Sequence, residues 1–200
     1  MNKLILASDN AHKFREFSEI LSGTDTEVIL RSAAGCSFDI EETGTTFAEN
    51  AYIKAKSVTD FTGLAAVADD SGICVDHLNG GPGIYSARYG AGTAHNDHER
   101  MMYLLDQMRT ADLRSARYVC SICCTFPNGD IIRAEDTWEG SILYSPVGEG
   151  GFGYDPIFLP EGYDRSMAQL TPEEKNAISH RGKALRKFIE EYKRYINADK

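Results

Sequence analysis

The sequence is short of positive charge. Its 200 residues hold 21 Lys and Arg against 30 Asp and Glu, a formal net charge of −9. Binding to nucleic acid leaves a basic footprint, and this chain has none. A small anionic substrate stays open to it, provided local cations and a metal ion offset the charge. Long apolar runs are missing too. The stretch Leu4-Ile5-Leu6-Ala7 is too short for a signal-peptide core or a membrane span, and no later stretch is long enough. The expectation is a cytoplasmic protein with neither membrane nor nucleic acid as partner. Also absent are the G-x-x-x-x-G-K-[ST] loop, the G-x-S-x-G elbow and histidine pairs at i, i+4. Their absence argues against P-loop nucleotide enzymes, serine hydrolases of the elbow type and zinc hydrolases of the H-E-x-x-H kind.

Cysteine is present but odd in number: Cys36, Cys74, Cys120, Cys123 and Cys124. Cys120-x-x-Cys123 has no second ligand pair for zinc. It also lies in a strand-like stretch, Arg117 to Phe126, which turns the two thiols to opposite faces. Buried, reduced thiols are the expectation.

What remains is an ordinary globular composition, 42% hydrophobic and 26% charged. Residues 1–200 suit one domain, or two closely fused lobes. Lys3 to Ala7 predicts a buried strand. Ser8 to Lys13 follows as a polar loop, and Phe14, Phe17 and Leu21 recur at helical spacing. A loop of this kind presents N–H groups at a helix N-terminus, which suits a phosphate. Thr46 and Glu49 have capping-box spacing before a second helix, whose buried side is Phe47, Ala51, Ala55 and Val58. Leu64 to Ala68 predicts a strand ending in two aspartates, and Ile73 to Val75 continues it. Asn96 to Met108 predicts a helix, and Pro127-Asn128-Gly129 a hairpin with antiparallel strands. Thr171-Pro172-Glu173-Glu174 opens a further helix. From Ala184, the residues Leu185, Phe188, Ile189, Tyr192 and Ile196 fit an amphipathic one. This order predicts an α/β fold with a mixed sheet flanked by helices.

Several groups carry potential chemistry. Asp69 and Asp70, read at the carboxyl end of a strand, sit where open α/β sheets place ligands. One can hold Mg²⁺ while the other orients or deprotonates water. Read locally, Asp69-Asp70-Ser71-Gly72 is equally well a polar turn. Glu41 and Glu42 read locally as a solvated acidic loop. Gly148-Glu149-Gly150-Gly151-Phe152-Gly153 satisfies G-x-G-x-x-G, but no helix opens after it, because Pro156 intervenes and Tyr154 to Leu159 looks like strand. It is instead a loop offering the aromatic Phe152 and the acceptor Asp155. Lys175, His180 and Arg181 are three donors near a helix start, and alone they read as a basic face.

Five ordered segments together resemble one family. They are Ser8-x-Asn10-x-x-Lys13-x-x-Glu16; Glu41-Glu42-Thr43-Gly44 with Thr46-Phe47-x-Glu49-Asn50-Ala51; Ala68-Asp69-Asp70-Ser71-Gly72; Gly81-Pro82-Gly83-Ile84-Tyr85-Ser86-Ala87-Arg88-Tyr89; and Gly150-Gly151-Phe152-Gly153-Tyr154-Asp155-Pro156-Ile157-Phe158 with Ser179-His180-Arg181-Gly182. The family is that of the inosine triphosphate pyrophosphatases, or non-standard purine nucleoside triphosphate pyrophosphatases (Ham1-like). The resemblance implies an elongated α/β fold of two lobes with the active site in the cleft, and a homodimer. It implies hydrolysis of ITP, dITP and XTP between the α- and β-phosphates, giving a nucleoside monophosphate and pyrophosphate.

The resemblance also assigns roles. Ser8, Asn10 and Lys13, with Asp9, Ala11 and His12 between them, look like the triphosphate grip. Glu41 and Asp70 look like Mg²⁺ ligands, Asp70 also like the proton acceptor, and Asp69 like its catalytic partner. Ser71 looks like a substrate contact. Phe152 looks like the partner that stacks on the base, with Gly153, Tyr154 and Asp155 completing the wall. Lys175, His180 and Arg181 look like base readers. Hypoxanthine and xanthine carry a carbonyl at the 6-position where adenine carries an amino donor, so cationic donors match the first two alone. Asp9 and His12 depart from the small or neutral residues of many relatives, and an acid at Asp9 is unfavourable beside a triphosphate unless it points away or caps the helix. Two other readings are a pyrophosphatase of the Maf type for modified pyrimidine nucleotides and a non-catalytic nucleotide-binding regulator. Phe152 with His180-Arg181 argues against the first. The presence of Lys13, Glu41, Asp69 and Asp70 together argues against the second.

Overall fold

The computed structural model describes residues 2–198, apart from the side chain of His12. The elements run β1 (Asn2–Leu6), α1 (Ala11–Leu21), β2 (Thr26–Leu30), α2 (Phe47–Thr62), β3 (Ala66–Val75), α3 (Asp97–Gln107), β4 (Ser115–Thr125), β5 (Ile131–Ile142), β6 (Phe158–Pro160), α4 (Pro172–Ile178) and α5 (His180–Ala198). The strands form one mixed sheet in the order β2-β1-β3-β4-β5-β6. Strand β1 is parallel to β2 and β3, and β5 is antiparallel to β6. Phe126 N–H donates to Asp130 O at 3.0 Å and closes the tight turn between β4 and β5, which therefore pair antiparallel. The mixed α/β sheet expected from the sequence is the one found.

The chain divides into two compact units. The first comprises Met1–Asp70, Cys120–Glu135 and Lys183–Lys200, and the second Ser71–Val119 and Asp136–Gly182. In the first, Leu4, Leu6 and Val67 meet Phe17 and Leu21 of α1 and Leu185, Phe188 and Tyr192 of α5. Ile5, Ala7, Ala66 and Ala68 meet Ala55 and Val58 of α2 on the opposite face. Strands buried on both faces show no polar alternation, which is why Lys3 to Ala7 reads as one apolar run. Thr46 caps α2 by accepting from Glu49 N–H at 3.1 Å. Glu49 returns its carboxylate to Thr45 N–H at 2.6 Å, one residue before the cap, so the capping box is shifted by one.

In the second unit, Ile73 and Val75 pack with Met101, Leu104 and Met108 of α3 and with Tyr118, Trp138, Ile157 and Phe158. Helix α4 opens with the full capping box of Thr171 and Glu174, with Pro172 in its first turn. Ser179 ends it, donating its N–H to Lys175 O at 2.9 Å. The Ser179 hydroxyl then accepts from Gly182 N–H at 3.2 Å, so the same residue caps the start of α5. Helix α5 consequently begins four residues before the apolar periodicity that announces it.

Two expectations need correction. Strand β3 does not stop at the aspartates. It runs unbroken through Asp69-Asp70-Ser71-Gly72 to Val75, so these residues are mid-strand rather than a turn. The strand expected over Tyr154 to Leu159 is instead a 3-10 turn, Asp155–Ile157, followed by the short β6, because Pro156 pre-sets the turn.

All five cysteines are free thiols, and Cys36, Cys120, Cys123 and Cys124 are buried. Burial pushes the Cys123 thiol up to about 11 and the Cys124 thiol well above the ordinary value. We expect a chromogenic disulfide reagent near neutral pH to label these four only after unfolding in urea; rapid labelling of the native protein would contradict their burial. A second test concerns Asp76. Ser115 donates to it at 2.5 Å and Arg117 at 2.8 Å, and these bonds hold its carboxyl below the usual aspartate value. A depressed folded pKa stabilises above the unfolded value of about 4 and loses that contribution as pH falls through the folded pKa. The Tm difference between wild type and Asp76→Asn should therefore be constant above about pH 5 and shrink below about pH 4.

Candidate active site

Successive residues of a strand point to opposite faces. Asp69 shares a face with Val67 and so looks toward α1. Asp70 shares the other face with Ala66 and Ala68 and looks toward α2. Each aspartate accordingly has its own lysine. Lys13 of α1 reaches Asp69 at 2.8 Å, where the aspartate side chain is 0% exposed. Lys54 of α2 reaches Asp70 at 2.6 Å and Glu42 at 3.1 Å. Burial lifts the Asp70 carboxyl above the usual aspartate value against the pull of Lys54 and Lys13, with Glu42 adding to the rise. Burial lowers Lys54, but Asp70, Asp69 and Glu42 outweigh it, and its ammonium ends above the ordinary lysine value. The lysine is therefore a firmly held cation among three carboxylates.

The loop from β1 to α1 is organised by its own side chains. Ser8 Oγ accepts from Asn10 N–H at 3.2 Å, and Asn10 Oδ1 accepts from Lys13 N–H at 3.1 Å, capping α1. Ala11 is the first residue of the helix. Asp9 is directed to the end of β2, where it accepts from Ser32 N–H at 3.1 Å and pairs with Arg31 at 3.3 Å. Of the two ways an acid is tolerated in this loop, the structure shows that it points away. The side chain of His12 lies outside the described residues.

The second unit gathers the other expected residues. Asp155 is buried, and its Oδ2 accepts from Phe152 N–H at 2.8 Å and from Lys175 Nζ at 2.6 Å. The Lys175 ammonium lies 4.4 Å from the centroid of the exposed Phe152 ring. Gly151, at φ +74, lets the loop pass this close; a Cβ there would collide with the Asp155 carboxylate. Gly153 N–H donates to Asp97 of α3 at 3.2 Å, and Tyr154 Oη donates to Ser86 O at 2.8 Å. His180 is buried, its ring parallel to that of Tyr118. Arg181 Nη2 donates to Ser71 Oγ at 3.1 Å.

Ser8, Asn10, Lys13, Asp69 and Asp70 thus belong to the first unit and Ser71, Phe152, Gly153, Tyr154, Asp155, Lys175, His180 and Arg181 to the second. Sequence reasoning passed over Lys54, Arg31 and Tyr118. A lysine on an amphipathic helix reads as solvated, and only its burial against Asp70 reveals otherwise. Glu41 is exposed, and the ion pair with Lys54 runs through its neighbour Glu42.

Among the described residues, no three His, Cys, Asp or Glu side chains form a ready metal cage. Mg²⁺ in phosphate chemistry does not need one, since it takes one or two carboxylates together with phosphate and water. Asp70 and Glu42 already converge on a cation, the Lys54 ammonium. This all-oxygen donor set fits Mg²⁺ brought in with a triphosphate.

The chain matches the model of the Ham1 family over residues 4–191. It is 47% identical over 195 residues to a dITP/XTP pyrophosphatase of Streptomyces coelicolor, covering 94% of this chain and 96% of that one. A dITP/XTP pyrophosphatase of Treponema denticola is 45% identical, with 92% and 94% covered. Among solved structures, a HAM1 protein from Coxiella burnetii superposes with a TM-score of 0.91 at 42% identity, over 97% of this chain and all of that one (100%). With a fold, an ordered set of motifs and a similarity that all extend over nearly its whole length, the chain belongs to the Ham1 family.

Proposed function

We propose that this chain is a nucleoside triphosphate pyrophosphatase that hydrolyses dITP, ITP and XTP between the α- and β-phosphates, giving a nucleoside monophosphate and pyrophosphate, with Mg²⁺ as cofactor. The relatives named above as dITP/XTP pyrophosphatases support the activity and the substrate class. The observation that carries the chemistry is the pair Asp69 and Asp70, facing opposite ways from one strand, each against its own lysine. The reading includes a homodimer working in the cytoplasm.

In this mechanism the capped N-terminus of α1, with Ser8, Asn10 and Lys13, receives the triphosphate. Asp69 keeps the Lys13 ammonium extended toward it. Asp70 with Glu41 or Glu42 would hold Mg²⁺, which when bound would offset phosphate charge and lower the pKa of a neighbouring water. Asp70 accepts the proton from the attacking water. Lys13 and Lys54 stabilise charge developing on the departing pyrophosphate. The exposed ring of Phe152 stacks on the base. Lys175, His180 and Arg181 donate to its edge, and Ser71 supports Arg181. An adenine amino group would leave such a donor unpaired at a cost of about 1–3 kcal/mol.

The deciding assay is pyrophosphate release from dITP, XTP, dTTP and ATP, with and without Mg²⁺. Release from dITP and XTP that requires Mg²⁺ is expected. Turnover of dTTP alone would select a pyrimidine pyrophosphatase, and dITP binding without turnover a regulator. Asp70→Asn should lower kcat about a hundredfold or more while nucleotide binding survives; near-normal turnover would remove Asp70 as base. Gly151→Ala should raise the KM for dITP about tenfold with kcat largely kept, since it displaces Asp155 and Phe152 without touching the carboxylates of β3. An unchanged KM would detach that loop from base binding.

A further inference from the structure

The base-reading group contains a residue to which no role has been given. Tyr118 lies on β4, is 7% exposed, and faces the same side as Ala116 and Cys120. Its ring lies parallel to the His180 imidazole, with centroids 4.8 Å apart and an interplanar angle of 12°. Phe158 packs edge-on against the tyrosine at 4.8 Å and 75°, and Trp138 packs in turn on Phe158 at 6.1 Å. The tyrosine is thus fixed by the core of the second unit before it meets the histidine. Its hydroxyl lies 3.5 Å from Asp155 Oδ1, at the outer limit of hydrogen-bonding distance. The other Asp155 oxygen already holds Lys175 and the Phe152 N–H. Burial pushes the tyrosine hydroxyl well above its ordinary value, so it faces the carboxylate as a donor.

We propose that Tyr118 is a positioning residue for base recognition, its ring setting the plane of the His180 imidazole and its hydroxyl steadying the Asp155 carboxylate that holds Lys175 beside Phe152. The physical reason lies in the imidazole itself. Rotation about its ring bond is broad and nearly two-fold, so helix geometry alone does not fix the direction of its N–H groups. A parallel aromatic face restricts that rotation. A donor aimed at one edge of a base loses discrimination when its ring can tilt. Tyr118 touches no substrate in this scheme; it acts through His180 and Asp155.

The inference rests on the assignment of His180 as a base reader, and the test separates the two. The ratio of kcat/KM for dITP over dATP is measured for wild type, Tyr118→Phe, Tyr118→Leu, His180→Ala and the double variant Tyr118→Leu/His180→Ala, with Tm as the check on folding. Tyr118→Leu should lower the ratio about tenfold, through KM for dITP, with kcat within about threefold of wild type. Tyr118→Phe keeps the ring face and should keep most of the ratio. Beyond the loss in His180→Ala, the double variant should lose no more than Tyr118→Phe loses alone, within about twofold, because the ring acts through His180 and only the hydroxyl acts through Asp155. A folded Tyr118→Leu protein with an unchanged ratio, or losses that multiply in full in the double variant, would overturn the proposal. An unchanged ratio in His180→Ala would instead overturn the base-reader assignment. Should Tyr118→Leu not fold, the wild-type protein still decides. The ring protons of His180, assigned by their loss in His180→Ala, should lie upfield of those of the exposed His77, His95 and His98; their absence from that region would exclude the stack.

Discussion

The alternation of side chains along β3 governs how charge is distributed in the first unit. Two consecutive aspartates in an extended strand cannot share a face. One must be answered from α1 and α5, the other from α2. Lys13 and Lys54 give those answers at 2.8 Å and 2.6 Å. Both helices are positioned in turn by the apolar residues of β1 and β3, Leu4, Leu6 and Val67 on one side and Ile5, Ala66 and Ala68 on the other. Apolar packing and charge pairing are therefore two readings of the same register.

This arrangement ties stability to function. A buried carboxylate left without its cation costs several kcal/mol, whereas a complete pair roughly balances its own desolvation. Asp69 and Asp155 are both in that position, with side chains 0% and 2% exposed. The lysines that neutralise them are also the ones assigned to phosphate and base. In the proposed mechanism each lysine gains a second partner when a nucleotide binds, and the aspartate keeps it extended until then. The acidity of the whole chain does not exclude an anionic substrate, since each of these two buried acids holds a lysine beside it.

Much of the architecture was legible. The apolar run at Lys3 to Ala7, the caps at Thr46 and Thr171, the hairpin at Pro127-Asn128-Gly129 and the mixed sheet all follow from local pattern. What failed did so for a common reason. Asp-Asp-Ser-Gly has the composition of a turn, and only pairing with neighbouring strands makes it the middle of β3. Glu42, Lys54 and Arg31 are charged residues with no periodic signature, so the pairing of Lys54 with Asp70 and Glu42 and of Arg31 with Asp9 depends on tertiary contacts. Tyr118 reads as one more aromatic of a core strand, and nothing in its neighbours along the chain announces His180. The residues visible in the sequence are those whose type and spacing match the family's motifs; the ones it hid are those that hold them in place.

Ser179 shows how little is needed to aim a group of side chains. In one unbroken helix, Lys175, His180 and Arg181 would be splayed around the axis, His180 by roughly 140° and Arg181 by roughly 240° from Lys175. A single extended residue at φ −68, ψ 160 ends α4 and starts α5, and so resets the angular count between them. The lysine then reaches Asp155, while the histidine lies on Tyr118 and the arginine on Ser71. A helix-length polymorphism upstream of Ser179 would leave the aim of His180 and Arg181 untouched, whereas one residue inserted between Arg181 and the packed Ala184 would rotate both by about 100° relative to the buried face of α5. The break acts as a detent, making the segment tolerant of variation on one side and intolerant on the other.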